Sequence, residues 1–297
     1  LGAIISLDES PQMEGLIYAG TDDGLVQVTE DGGQNWRQIT SFPGIPDQTY
    51  VADIHTSRHD ANTVFVVFNN NKEGDFKPYI LKSENRGRSW ESITGNLPEG
   101  QLAWTVYQDH QSPDLLFAGT EFGLFLTVDG GRGWVQLKGS VPTIPFRDLE
   151  IQRRENDLVG ASFGRGFYIL DDYSPLRHVT DDALSEEAIL FPVKDTWMYI
   201  QAGPLGRSEK GQQGNAYFTA PNPPFGGTFT YYLRDAFKSR QRRRWEKEDR
   251  QKESGETIQY PSWEDLRAED REEPSSIMLT IRDETGAGVR RLEGPTG

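Results

Sequence analysis

Short runs of alternating or continuous apolar residues fill the first 180 positions, bounded by Gly, Asp, Asn or Pro. Leu16-Ile17-Tyr18-Ala19-Gly20-Thr21, residues 63–68 and Leu115-Leu116-Phe117-Ala118-Gly119-Thr120 are such runs. Leu25-Val26-Gln27-Val28 and Leu124-Phe125-Leu126 follow two of them after a tight turn. Runs of this length with turn residues at both ends predict strands joined by hairpins. First strands are predicted at residues 3–7, 50–55 and 104–108, and a fourth set at 146–152, 158–161 and 166–172. Strand signals return at 190–193, 197–200, 215–227, 228–233, 277–286 and 288–292. Residues 235–273 are dense in charge and predict two helices, 236–253 and 262–272, broken at Gly255 and Pro261. Trp245 and Trp263 are expected to dock this helical insert onto neighbouring strands.

A repeat organises the first half. Thr29, Asp31, Gly33 and Trp36 recur as Ser83, Asn85, Gly87 and Trp90, and again as Thr127, Asp129, Gly131 and Trp134. The starts lie 54 and 44 residues apart, close to the length of a four-stranded propeller blade, about 40–50 residues. Each signature sits where a third strand turns into a fourth. The Asp or Asn side chain there can accept hydrogen bonds from backbone N–H groups of its own turn, and the Gly supplies a positive φ. The Trp packs back over the hairpin, with its indole N–H free to find an acceptor. A structural role is therefore expected for Asp31, Asn85 and Asp129. The fourth unit lacks the signature and runs into Tyr173-Ser174-Pro175-Leu176-Arg177, a predicted exit from the propeller.

These residues match the Asp-box, or BNR repeat, and the chain resembles sialidase-like and sortilin-like β-propellers. The stretch Gly164-Arg165-Gly166-Phe167-Tyr168-Ile169-Leu170-Asp171-Asp172 and the stretch 217–226 resemble the C-terminal part of large bacterial sortilin-like or BNR-repeat "glycosyl hydrolase" proteins. The expected fold is all-β: residues 1–180 as the C-terminal four blades of a larger Asp-box propeller, then residues 181–297 as an immunoglobulin-like or fibronectin-like β-sandwich. That sandwich carries the helical insert 235–273 and is read as incomplete at its C-terminus. Asp-box propellers usually have six to ten blades, so further blades of the same protein, upstream of Leu1, are expected partners. The resemblance also implies a secreted or cell-envelope (periplasmic) location and no cofactor.

Charge narrows the partners. The chain carries 46 Asp+Glu against 31 Lys+Arg, a net −15, and residues 1–180 hold 25 acids against 14 bases. Such acidity disfavours nucleic acid as a partner. The basic run Arg240-Gln241-Arg242-Arg243-Arg244 is offset by Glu246, Glu248 and Asp249 and reads as a solvated helix face. No run approaches the about 20 apolar residues of a membrane span. Without Cys there is no thiolate site. His55 and His59 have a four-residue spacing that suits a metal on a helix, but they fall at a strand end and in the loop after it, so no metal site is expected.

Topology selects the candidate site. If the Trp hairpins mark one face, the turns between second and third strands and the starts of first strands lie on the other. That face collects Asp22, Asp23, Tyr50, Trp104, Glu121, Phe122, Arg147 and Arg165. Aromatics with acids and Arg suit a glycan or polypeptide ligand, although each alone is more often packing or turn chemistry. No catalytic residue is assignable. The expected function is a binding and scaffolding module. The alternative is a glycoside hydrolase, xyloglucanase- or sialidase-like, with a carboxylate pair across the central channel.

Overall fold

The computed structural model describes residues 2–200, 222–273 and 275–296. The chain forms two compact units, Leu1–Thr180 with Lys194–Gly227, and Asp181–Val193 with Thr228–Gly297. The predicted strand signal at 215–221 lies outside the described residues.

The first unit contains four consecutive antiparallel sheets, each a meander in chain order. The first sheet is β1 (Ile4–Glu9), β2 (Ile17–Thr21), β3 (Val26–Thr29) and β4 (Arg37–Ile39). The second is β5 (Tyr50–Thr56), β6 (Val64–Asn69), β7 (Tyr79–Ser83) and β8 (Glu91–Ser92). The third is β9 (Ala103–Gln108), β10 (Leu116–Thr120), β11 (Gly123–Thr127) and β12 (Val135–Gln136). The fourth has three strands, β13 (Phe146–Gln152), β14 (Asp157–Ser162) and β15 (Gly166–Leu170). The first strands β1, β5, β9 and β13 stand side by side, as the inner strands of propeller blades do around a channel. The fold is all-β, with four blades of a propeller in the first unit.

Strand alternation explains the blade stacking, because successive side chains leave a sheet on opposite faces. On β6, Val64, Val66 and Phe68 join Tyr18, Val26 and Val28 of the first blade, while Phe65 and Val67 join Val106, Leu116 and Phe125 of the third. All six β6 residues are buried. Phe117 and Leu124 meet Phe146, Leu149 and Leu158 in the next layer. Each such side chain contributes roughly 1.5–3 kcal/mol by leaving water, so the second and third blades are each held between two cores, and the first and fourth against one.

The hairpin signatures form hydrogen-bonded turns. Asp31 Oδ1 accepts from the Gln34 and Asn35 N–H at 3.0 and 2.9 Å, and Asp129 Oδ1 accepts from Arg132 and Gly133 at 3.0 and 2.9 Å. Asn85 Oδ1 accepts from Arg88 and Ser89 at 3.0 and 2.8 Å, and its amide donates to Ser89 Oγ. The hydroxyls of Thr29, Ser83 and Thr127 accept from the N–H of Gly33, Gly87 and Gly131. Later hairpins also bind the preceding blade. Arg86 pairs with Glu30 at 2.8 Å, and the Trp134 indole donates to the Ile93 carbonyl at 2.8 Å. Trp36 donates to Gly33 within its own turn, whereas the buried Trp90 indole nitrogen has no partner and its ring lies edge-on to Phe42.

After β15 a 3-10 turn, Ser174–His178, brings Arg177 onto the third blade. Arg177 Nε and Nη2 donate to Asp109 Oδ2 and Oδ1, both at 2.8 Å, and the Tyr173 hydroxyl donates to Oδ1 at 2.6 Å. Asp109 is fully buried.

In the second unit, α1 (Asp181–Ser185) precedes β16 (Ala188–Leu190), which pairs with β17 (Tyr231–Leu233). Helices α2 (Arg240–Ser254) and α3 (Trp263–Asp270) come before the hairpin of β18 (Ile277–Arg282) and β19 (Gly288–Gly294). Ser239 and Ser262 cap the helix starts, and Gly255 ends α2 at φ 72°. Arg244 joins the helices by bonding Glu269 at 2.8 Å and Glu248 at 2.9 Å. Charge pairing, not aromatic docking, holds the insert: Trp245 and Trp263 are 45% and 79% exposed. The described strands here form two separate two-stranded ribbons. Residues 197–200 are not a strand. Lys194 and Trp197 instead bond the Glu155 carboxylate at 3.3 and 3.1 Å, so side chains fix this segment's start.

Candidate functional site

Two faces follow from the blade connections. The Trp hairpins pair with the turns after the inner strands, as in the Gly32 N–H donating to Gly15, Arg86 to Asn62 and Gly130 to Asp114. On the opposite face, the turns after second strands join the chain entering the inner strands. There the Asp22 N–H donates to Ala3, Glu121 to Leu102 and Phe163 to Pro145.

At this second face each inner strand carries a β-bulge. One residue is extra relative to the neighbouring strand: Ile5, Ala52, Trp104 and Arg147 in blades one to four. A bulge unpairs its extra residue and re-aims the side chain. In the first two blades that side chain is apolar. In the last two it is Trp104 and Arg147, which meet: the Arg147 guanidinium lies 3.3 Å from the Trp104 ring centroid and 5.1 Å from that of Phe163. The Trp104 indole donates to Glu121 Oε2 at 2.8 Å, and Arg147 Nη2 stands 3.9 Å from the same oxygen. At 3.9 Å that contact is an ion pair rather than a hydrogen bond. The guanidinium is thus stacked on its faces and keeps its N–H edge for another acceptor. Partial burial lowers the Arg147 pKa, with the Glu121 charge acting against that.

Of the residues selected by sequence, Trp104, Glu121 and Arg147 come together, with Phe163 added. Asp22 accepts from the Ala3 N–H at the entry to β1, at 2.7 Å, and Asp23 accepts from the Thr21 hydroxyl of its own turn at 2.5 Å. Tyr50 stacks under the Lys72 ammonium at 5.1 Å. Phe122 is 47% exposed and Arg165 is exposed. His55 is buried while His59 meets the Asp109 carbonyl, and among the described residues no group of three His, Asp or Glu side chains can hold a metal ion. No helix among them is long and apolar enough to cross a membrane.

No family model matches the chain, and no curated protein matches it. Solved structures do. YCF48 from Cyanidioschyzon merolae is 18% identical over 57% of this chain and 53% of its own, with a TM-score of 0.42. The GH74 xyloglucanase from Xanthomonas campestris is 18% identical over 59% of this chain and 30% of its own, at 0.49. The GH74 enzyme of Niastella koreensis is 17% identical over 58% and 28%, at 0.47. The resemblance is one of fold. This chain spans about half or less of the length of each neighbour.

Below the rim lies a group of residues that the sequence patterns did not single out. A cavity of about 330 Å³ is lined by Asp8, Asp53, His55, Tyr107, Asp148 and Glu150 of the four inner strands, with Arg58. Counted from each bulge, the first position holds Ser6, Asp53, Thr105 and Asp148, and the third holds Asp8, His55, Tyr107 and Glu150. Several reach to the next blade. Asp8 Oδ2 accepts from the Thr56 N–H at 2.6 Å, and Asp53 Oδ2 accepts from the Thr105 hydroxyl at 2.7 Å and the Val106 N–H at 3.2 Å. The Tyr107 hydroxyl donates to Glu150 Oε1 at 2.5 Å. Acids breaking the apolar alternation of predicted inner strands were the available signal. It becomes a pattern only once the four bulges fix the register.

Burial raises the Asp53 pKa to about 6, aided by the Asp148 charge and opposed by the hydrogen bonds from Thr105 and Val106. Burial likewise raises Asp8 and lowers His55 to about 3, which leaves the imidazole neutral. A carboxyl whose pKa is raised on folding holds its proton more tightly in the folded chain, so it withdraws stability as pH climbs from about 4 through 6. Asn at position 53 keeps an acceptor for Thr105 and Val106 without the charge. Asp53→Asn should therefore match the parent near pH 4 and exceed its unfolding free energy by about 2–3 kcal/mol at pH 7.5. Urea titrations across that range check this, and equal midpoints at pH 7.5 would contradict it.

Proposed function

We propose that this chain is a binding module of a secreted or cell-envelope protein and that it holds a polypeptide at the rim of its third and fourth blades. The observation that carries this reading is the bulged Arg147, stacked on Trp104 and flanked by Phe163 and Glu121, with its N–H edge unbonded. Such a fork matches peptide carbonyl or carboxylate oxygens. A neutral glycan is served less well, because the guanidinium already covers one face of the Trp104 ring on which a sugar would stack. The turn hydrogen bonds of Asp31, Asn85 and Asp129 support reading the propeller as the Asp-box, sortilin-like kind.

The test is selection from a peptide library on the immobilised chain, with a glycan array run in parallel. Enriched peptides should lose about tenfold or more in affinity on Arg147→Ala, with an unchanged urea midpoint. Enrichment of glycans alone, or indifference to Arg147→Ala, overturns the polypeptide reading. The second reading, a glycoside hydrolase sharing its site with further blades, is favoured by one observation: Asp53 and Asp148 line one cavity, and burial pushes the Asp53 carboxyl up to about 6, in the direction a general acid requires. Release of reducing ends from xyloglucan, lost on Asp53→Asn, would establish it.

A further inference from the structure

The channel beneath the rim is walled mostly by acceptors. Asp8, Asp53, Asp148 and Glu150 line it, and none of the four is in an ion pair among the described residues. Asp148 bonds only the Leu149 N–H of its own strand, at 2.9 Å. Glu150 Oε1 accepts from Tyr107 and from the Ile151 N–H, which leaves its second oxygen. Among the described residues Arg58 is the one Lys or Arg on the wall, opposed by these four acids and Glu9.

An independent observation points to a ligand. His55 lines the same cavity at 9% exposure, and its Nε2 is buried with no hydrogen-bond partner among the described residues. Its ring is fixed against Tyr107, centroid to centroid 4.3 Å, so it cannot readily swing to another acceptor or donor. A buried nitrogen without a partner costs about 1–3 kcal/mol. On the same wall Asp148 and Glu150 are solvent-exposed carboxylates outside any ion pair among the described residues. One occupant serves both: a group with several donors, a positive charge and no acceptor. A metal ion is a poor match, since no three carboxylate or imidazole groups among the described residues converge closely enough to hold one.

We propose that the channel takes an organic cation, an ammonium or guanidinium group, with Asp148 and Glu150 as counter-charges and the neutral His55 Nε2 as an acceptor. Its source is either a free di- or polyamine or the side chain of a Lys or Arg on a polypeptide. The site is distinct from the rim: the side-chain bonds of Asp148 and Glu150 and the ring contact of His55 among the described residues go to Leu149, Ile151 and Tyr107, not to Arg147 or Trp104.

Titrations at low salt use cadaverine, agmatine, and the blocked tripeptides Gly-Lys-Gly and Gly-Arg-Gly. They are read by calorimetry and by the His55 ring resonances, which are assignable because the chain has four His. At least one probe should bind saturably and shift His55. The Asp148→Asn/Glu150→Gln double variant should weaken that binding by about tenfold or more, while Arg147→Ala leaves it unchanged. Should the double variant lose its fold, Asp148→Asn alone keeps the Tyr107 to Glu150 bond and must still weaken binding about threefold. Binding of free amines assigns the free-amine source, and binding of the tripeptides alone assigns the polypeptide source. No saturable His55 shift with any probe, or binding that the variants leave intact, overturns the proposal. Loss of peptide selection on Arg147→Ala with amine binding intact separates the rim from the channel.

Discussion

Arg177→Met should lower the unfolding free energy of the first unit by about 3–5 kcal/mol at neutral pH. The partner left behind decides the size. Asp109 is fully out of solvent, and Arg177 supplies two of its bonds while itself only 10% exposed. Burial alone would push the Asp109 pKa up. Donation from Arg177, Tyr173 and the Ser112 and Gln111 N–H groups overrides it and brings the value down to about 2. A carboxyl lowered in this way adds stability above its unfolded pKa and loses it as pH falls from about 4 towards 2. Methionine fills the volume of the Arg stem but strands the carboxylate. The deficit should therefore be largest at pH 7 and shrink as pH falls, first as the variant's Asp109, pushed up by burial, takes up a proton and then below about pH 4 as the parent loses its own advantage, and it should be partly recovered by adding Asp109→Asn. Denaturation followed by Trp fluorescence at pH 7 and pH 3 checks this, and a loss independent of pH would point to packing alone.

Gly131→Ala is expected to cost about 3 kcal/mol, against about 1 kcal/mol for Gly33→Ala at the equivalent place in the first hairpin. Both glycines have positive φ, 99° and 94°, so both substitutions carry the left-handed penalty. They differ in what a methyl would meet. At Gly33 its nearest neighbour is the Trp36 ring at 3.8 Å, whereas at Gly131 it would lie 2.7 Å from Ile93 Cβ and 2.8 Å from the Ile93 carbonyl oxygen. That carbonyl accepts the Trp134 indole N–H, so the methyl would prise the third hairpin from the second blade. Equal costs in matched urea titrations would show that the hairpin shifts freely and that the contact between blades is weak.

The blades were legible because their cause is local. Alternation sets each strand, and the eight residues from Thr29 to Trp36 contain the side-chain donors and acceptors that close their turn. The start of α3 is local in the same way, with Ser262 and Asp265 capping each other. What escaped was relational. Arg177 finds Asp109 across 68 positions, and the bulges exist only as an offset between two strands. Asp53 and Asp148 become neighbours through register that no window reveals. Among the residues selected for the rim, Trp104, Glu121 and Arg147 converge because they sit at bulges or in the turns beside them, while Asp22 and Asp23 bond Ala3 and Thr21 within the first blade. Residues 197–200 misled because an apolar run carries no record of whether a partner strand exists.

The bulge position also separates display from architecture. Its residue belongs to no ladder pair, so Ile5, Ala52, Trp104 and Arg147 are four interchangeable sockets on one rigid frame. Exchanging what they carry rewrites the rim's vocabulary one word at a time and leaves the grammar of the blades intact.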